Sequence, residues 1–466
     1  MKATGKWRQR IFYGATDMAG NFIWQIVGLY LLYYYTSVLG LTAAFVGTLF
    51  MVVRFIDAFD GMFFGFLIDH TNTKHGQARP YFIWFGIPLG VLSAALFINP
   101  TFAGNKVFEM VWVSVIYTLF SLTYSGANTP ITAILPNLSK DPGERANLAS
   151  ARLVMTNIGA TLMGAATLPM VKWLGGSNTS RTGWQLWGII VGIGIAVLFT
   201  LAFLNLHEQV PKAATTEPGK QKLSIGQSLK GAAANRPWVI LSVSCILVQT
   251  FWVVRMTTEI YYLQFIYNRV DLTSLFVSLN IIAVIGNVLV PILSRRFQNR
   301  HIMAGALVLM IVGEGVLPLG VKTQSLVILF GGNILSMIAM SIIFTIIFVM
   351  VSDTVEYSRL RLGINEPGFL SSVPMVGAKL GMGLGGGIAG WVLSFGGFAS
   401  KAKIQSAGAM HAINLDFVWL PIILAFVIII LLQFYHLNEK KLPNAESVGE
   451  EVTSVTTAVT GEEMEG

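Results

Sequence analysis

Apolar runs close to twenty residues long recur along the whole chain, and that repeat decides which solvent the protein folds in. A helix needs about 20 such residues to cross ~30 Å of hydrocarbon. In lipid each segment must satisfy its own backbone N–H and C=O groups, so the runs are read as helices. Of the 466 residues, 54% are hydrophobic and 12% charged, roughly half the charged fraction of a soluble domain. A water-soluble fold would lack the polar surface to stay dispersed. The expected fold class is therefore an all-α polytopic membrane protein.

Twelve transmembrane helices can be drawn. They cover residues 21–38, 43–68, 81–100, 107–127, 148–171 and 184–204, then 238–267, 274–293, 302–321, 325–351, 369–395 and 415–435. This divides the chain into a six-helix bundle (1–206), a polar central linker (207–236), a second six-helix bundle (237–442) and an acidic, disordered tail (443–466). Lys and Arg fall mainly in alternate loops. The side holding both termini and the linker collects about 20 of them against about 7 opposite, which predicts cytoplasmic termini and a multi-pass protein of the cell membrane. The net charge of +8 is thus an orientation signal and gives no support to a nucleic-acid partner. Met1 to Arg10 is basic and precedes an apolar stretch, but 22–38 is too long for a signal-peptide core and is read as a retained first span. The single Cys245 excludes an intrachain disulfide.

Charges inside spans are costly unless paired or bathed by a water-filled cavity, so they are the candidate functional residues. Arg54, Asp57 and Asp60 are spaced to share one helical face. Two carboxylates and a guanidinium there could bind a dehydrated monovalent cation, share a proton, or form a structural salt bridge. Arg255 and Glu259 lie one turn apart and can neutralise each other. Lys379 lies in PMVGAKLGMGLGGGIAG, whose small residues suit close helix packing better than phosphate binding. Asp17 falls just before the first span, Asp416 falls at a span mouth within reach of water, and Glu314 has no evident partner. The histidines lie in loops or at span ends. No hydrolase or nucleotide-binding motif occurs, so neither an enzyme nor a resident cofactor or metal is expected.

The stretch RFIDAFDGMFFGFLIDHTNTKHGQARPYFIW resembles the melibiose-permease-like glycoside-pentoside-hexuronide:cation symporter family, a branch of the major facilitator superfamily. The likeness continues through YGATDMAGN, LPNLSKDPGERANLASAR and DTVEYSRLRLGINEPGF. It implies two bundles around a central cavity that opens to each side in turn, driven by a co-transported proton or sodium ion. Asp57 matches the family's first coupling carboxylate and Ser125 a hydroxyl ligand. Asp60 stands where the family has asparagine, and Gly61 where it has the second coupling aspartate, a shift of about 100° around the helix. For the solute, Asn21 and Asn128 match acidic residues, Thr132 matches a sugar-stacking tryptophan, and Arg152 and Lys379 match basic residues. The resemblance thus implies cation coupling by Arg54, Asp57, Asp60 and Ser125, with sodium a possible ligand of the last three. It implies sugar binding by Asn21, Asn128, Thr132, Arg152 and Lys379. Keeping the bases while losing acids raises the expectation of an acidic glycoside, unless Arg152 and Lys379 merely neutralise Asp57 and Asp60. The expected partners are a small sugar or glycoside, a monovalent cation and membrane lipid. The alternative function is an uncoupled facilitator or exchanger of the same fold. Oligomeric state is not legible.

Overall fold

The computed structural model describes residues 3–71, 73–98, 100, 105–139, 141–208, 235–361, 367–399, 402 and 404–437. The linker expected at 207–236, apart from its ends, and the tail expected at 443–466 lie outside the described residues. Within them the chain is a succession of helices. The first half comprises α1 (Ala3–Ile26), α2 (Ala43–His70), α3 (Tyr81–Trp84), α4 (Gly86–Ala95), α5 (Lys106–Leu138), α6 (Pro142–Gly175) and α7 (Arg181–Asn205). The second comprises α8 (Arg236–Tyr261), α9 (Thr273–Ser278), α10 (Ala283–Arg296), α11 (Asn299–Thr323), α12 (Leu326–Arg361), α13 (Pro367–Phe395), α14 (Ala407–Asn414) and α15 (Leu420–Gln433). Among the described residues, nine helical stretches are long and apolar enough to cross a membrane.

Local chemistry sets many of the ends. Asn105, Asp141, Ser180, Asn235 and Ser406 each accept a backbone N–H at a helix start. The expected third span is broken at Phe85, between α3 and α4. The expected eighth is preceded by a tighter 3-10 turn at Val270–Leu272 and changes to another at Leu279–Ile282.

Two boundary expectations are corrected. The first helix begins at Ala3 and runs on through wide π turns, Val27–Leu31 and Tyr34–Val38, so Asp17 is an interior position and is 8% exposed. The last span begins within α14 and passes through the π turn Leu415–Trp419. Asp416 is thereby fully buried, not at a wet mouth. Hydropathy marks only the apolar middle of such helices, so their polar ends are cut short.

Each half packs chiefly on itself, as α1 on α6, α4 on α7, α2 on α5, and α11 on α12. The halves meet where α2 crosses α13 and where α9 meets α6. Glycines set the first crossing: a Cβ on Gly390 would fall 2.4 Å from the Ala43 carbonyl and 2.7 Å from the Gly47 Cα. Only a hydrogen side chain permits that approach. Further along the seam, the Thr36 and Tyr261 hydroxyls are hydrogen-bonded at 2.6 Å, and Trp391 Nε1 donates to Thr48 at 2.9 Å. These contacts lie between the middle of the molecule and the end opposite residue 3.

Candidate substrate and cation site

The intramembrane charges converge where the two bundles face each other. Asp57, 4% exposed, accepts from Arg54 Nη1 at 3.0 Å, and the Ser121 hydroxyl lies 2.6 Å from both its carboxylate oxygens. Lys379 crosses from α13 to α2. Its Nζ donates to the Asp57 carbonyl at 2.6 Å and to Asp60 Oδ1 at 3.2 Å. Asp60 is also buried, and its Oδ2 is without a hydrogen-bond partner among the described residues. A Cβ on Gly61 would lie 3.6 Å from the same ammonium nitrogen. Positions 60 and 61 therefore both look onto Lys379, and the shifted aspartate reaches the base that a side chain at 61 would also face.

Above these charges lies a cavity of ≈ 180 Å³ lined by Trp24, Arg54, Asp57, Tyr124, Ser125, Asn128, Thr129, Lys379 and Met382. A smaller chamber of ≈ 60 Å³ shares Trp24, Arg54 and Met382 with it and reaches Trp252 and Met256 on α8. Trp24 stacks on Tyr124 with ring centroids 5.0 Å apart, and the Arg54 guanidinium lies 4.2 Å over the Trp24 ring. The result is a flat aromatic wall beside charged hydrogen-bonding groups. Asn128 Oδ1 is buried without a partner among the described residues, an acceptor available to a ligand hydroxyl.

The remaining expected residues stand to one side. Arg152 Nε pairs with Asp17 at 3.1 Å and its Nη1 donates to Thr132 at 3.2 Å. Thr156 donates to the same Asp17 oxygen. Asn21 donates to the Asp17 carbonyl one turn back, at 2.9 Å, and lines neither chamber. Arg152 thus neutralises Asp17, not Asp57 or Asp60. Every base is matched by an acid: Arg54 with Asp57, Lys379 with Asp60, and Arg152 with Asp17. The spare positive charge behind the expectation of an acidic solute is absent from this arrangement.

Ser121, Trp24 and Tyr124 join this cluster and were passed over by sequence reasoning, which placed Asp17 only just before the first span. Ser121 precedes Ser125 by one helical turn, and that spacing was the available signal. Trp24 lies one turn beyond Gly20, on a helix whose register was hidden by the late start assigned to it.

Long helices in two bundles with paired charges at their interface define a solute carrier. The chain matches the MFS/sugar transport protein family over residues 12–439 and belongs to it; the family is one of membrane transporters, not of enzymes. It is 35% identical over 434 residues to the isoprimeverose transporter of Lactiplantibacillus pentosus, covering 93% of this chain and 89% of that one. It is 26% identical over 436 residues to the inner membrane symporter YicJ of Escherichia coli (strain K12), covering 92% and 91%. A bacterial homologue of the human lysosomal transporter Spinster, solved in an inward-facing, unoccupied conformation, has the same fold. Its TM-score is 0.66 at 14% identity, over 95% of this chain and 98% of that one.

Proposed function

We propose that this chain is a glycoside:cation symporter working by alternating access, with Asp57, Asp60, Ser121 and Ser125 serving the cation and Trp24, Tyr124, Asn128, Arg54 and Lys379 serving the sugar. The observation that carries this reading is the reach of Lys379 from one bundle to the Asp57 backbone carbonyl and the Asp60 carboxylate of the other. In the empty carrier its ammonium takes the place of a cation. An arriving monovalent cation competes for the same oxygens and frees the amine to donate to a sugar hydroxyl, so each ligand favours the other's binding. The ≈ 180 Å³ cavity is smaller than the ~300 Å³ of a typical small-molecule site, which fits a pocket that must release an internal contact before it grips a glycoside.

One-to-one charge pairing favours a neutral glycoside over a uronide, in keeping with the name of the isoprimeverose transporter. Asn21, Thr132 and Arg152 then act through Asp17, setting the wall of the pocket. With both termini cytoplasmic, the seam contacts lie on the outer side, and the carrier is drawn with its cavity facing inward. Uptake into membrane vesicles, measured for neutral and acidic labelled glycosides with sodium and pH varied in turn, tests the reading. Asp57→Asn should cut cation-driven accumulation by at least ~10-fold, the effect of losing about 1.4 kcal/mol of coupling, while membrane insertion is unchanged. Full accumulation by that variant, or equal uptake with every gradient collapsed, returns the chain to the uncoupled facilitator.

A further inference from the structure

The second bundle buries another charged cluster, distant in sequence from Asp57 and Asp60. Arg255 donates through Nε to Glu314 at 2.5 Å and through Nη2 to Asn333 at 2.7 Å. Glu259, one turn along α8, lies 3.7 Å from Nη1. The Phe417 ring covers the guanidinium at 4.9 Å. These side chains are 1%, 0% and 7% exposed for Arg255, Glu314 and Glu259, so water does not balance their charge. One base faces two acids, leaving a negative charge uncompensated in a low-dielectric interior.

The hydrogen bonding is incomplete in the same place. Among the described residues Glu259 Oε1 has no hydrogen-bond partner, and neither has the buried Tyr262 hydroxyl. Ser336 abuts Gly313 and acts on Glu314, and Tyr262 stacks on Phe417 at 4.4 Å. From the other bundle Tyr30 lies near Glu259, but its hydroxyl donates to the Gly164 carbonyl at 2.5 Å. Asp416, beside Phe417, is fully buried, and neither carboxylate oxygen has a hydrogen-bond partner among the described residues. Asn333 spends its amide on the Phe276 carbonyl at 3.3 Å.

We propose that Glu259 carries a proton in this conformation, making the Arg255–Glu259–Glu314 cluster a proton-binding site of the second bundle. Glu314 holds the guanidinium closely and is the ionised partner. Glu259 stands further off with a free oxygen, and one proton there brings the cluster to neutrality. A sodium ion would require a cage of oxygens, and the guanidinium occupies the centre of this set. Glu259 lies within the last turn of α8, between Thr257, which donates to the Gly28 carbonyl at 3.4 Å, and Tyr261, which is bonded to Thr36. Parting of that seam would admit water to Glu259 and let the proton leave, so its occupancy follows the opening of the outer gate. The inference stands independently of the solute and of Asp57.

Thermal unfolding of the full chain in lipid first establishes that Asp416→Asn folds with Glu259→Gln, or with Glu259→Asp where Gln is not tolerated. Infrared spectra of Asp416→Asn with and without that change at 259 decide the matter. Their difference should contain one protonated-carboxyl band at neutral pH, and its absence rejects the site.

Discussion

At the scale of single residues, the site is a set of charges each answered by a neighbour, and the consequences follow from which partner is removed. Ser121 donates to a buried carboxylate, a charge-assisted bond of about 1.5–3 kcal/mol. Ser121→Ala should weaken the apparent affinity for the coupling cation by roughly 10-fold, about 1.4 kcal/mol. Titrating uptake against cation concentration at saturating sugar measures the shift. Positions 60 and 61 both face Lys379, so exchanging the pair as Asp60→Asn with Gly61→Asp should retain at least about half of the accumulation, while Asp60→Asn alone loses most of it. A double variant no better than the single one would show that the register of the second acid is fixed. Asp57, Asp60 and Lys379 were legible in the sequence because a charge within an apolar run advertises itself. Asp17 was not, because hydropathy starts the first helix too late. Ser121 was not either, because a serine in an apolar helix commonly bonds its own backbone.

Among elements, the α2–α13 crossing does most to set how the halves meet. Gly47 and Gly390 let the backbones touch, and nothing larger fits without moving one helix. Gly390→Leu should force this crossing apart and populate the arrangement open at the end away from residue 3. In a Cys245→Ser background, a thiol placed by Thr36→Cys, buried at the same seam, should then react several-fold faster with a membrane-impermeant reagent. An unchanged labelling rate would mean that the crossing does not control the seam. The glycine run of α13 was read from sequence as a packing surface, and the contacts of Gly383, Gly386 and Gly387 with Arg54, Phe50 and Met51 show which surface it packs. Its partner helix could not be read, since α2 and α13 are separated by most of the chain. The same distance concealed the pairing of Arg255 with Glu314, whose partner looked absent in sequence, while Glu259, four residues along, looked sufficient.

For the whole molecule, rocking of two bundles requires each to hold its own shape. Glu208 contributes to this in the first bundle by accepting the backbone N–H groups of Gln77, Ala78 and Arg79 at 3.1, 2.9 and 2.9 Å and the Asn137 amide at 3.3 Å. One carboxylate thus ties the end of α7 to the turn after α2 and to α5. Glu208→Ala should cost about 1–3 kcal/mol, read as a lower Tm of the purified protein in lipid, with the loop at residues 73–79 cut faster by protease. Arg10 and Glu144, paired through two bonds of 2.8 and 2.7 Å, fasten α1 to α6 in the same way. Two sets of apolar runs around a polar middle were visible in the sequence. The clips were not, because carboxylates in loops and at helix ends are indistinguishable from solvated surface until the chain is folded.

Lys379 gives the carrier a passenger of its own. On the proposed reading, an amine tethered to one wall and lodged in the other balances Asp60 in the vacant protein, so this site can return across the bilayer without borrowing a coupling ion. The journey home is then cheap, and the direction of net traffic is left to whichever ion can outbid a lysine that never leaves.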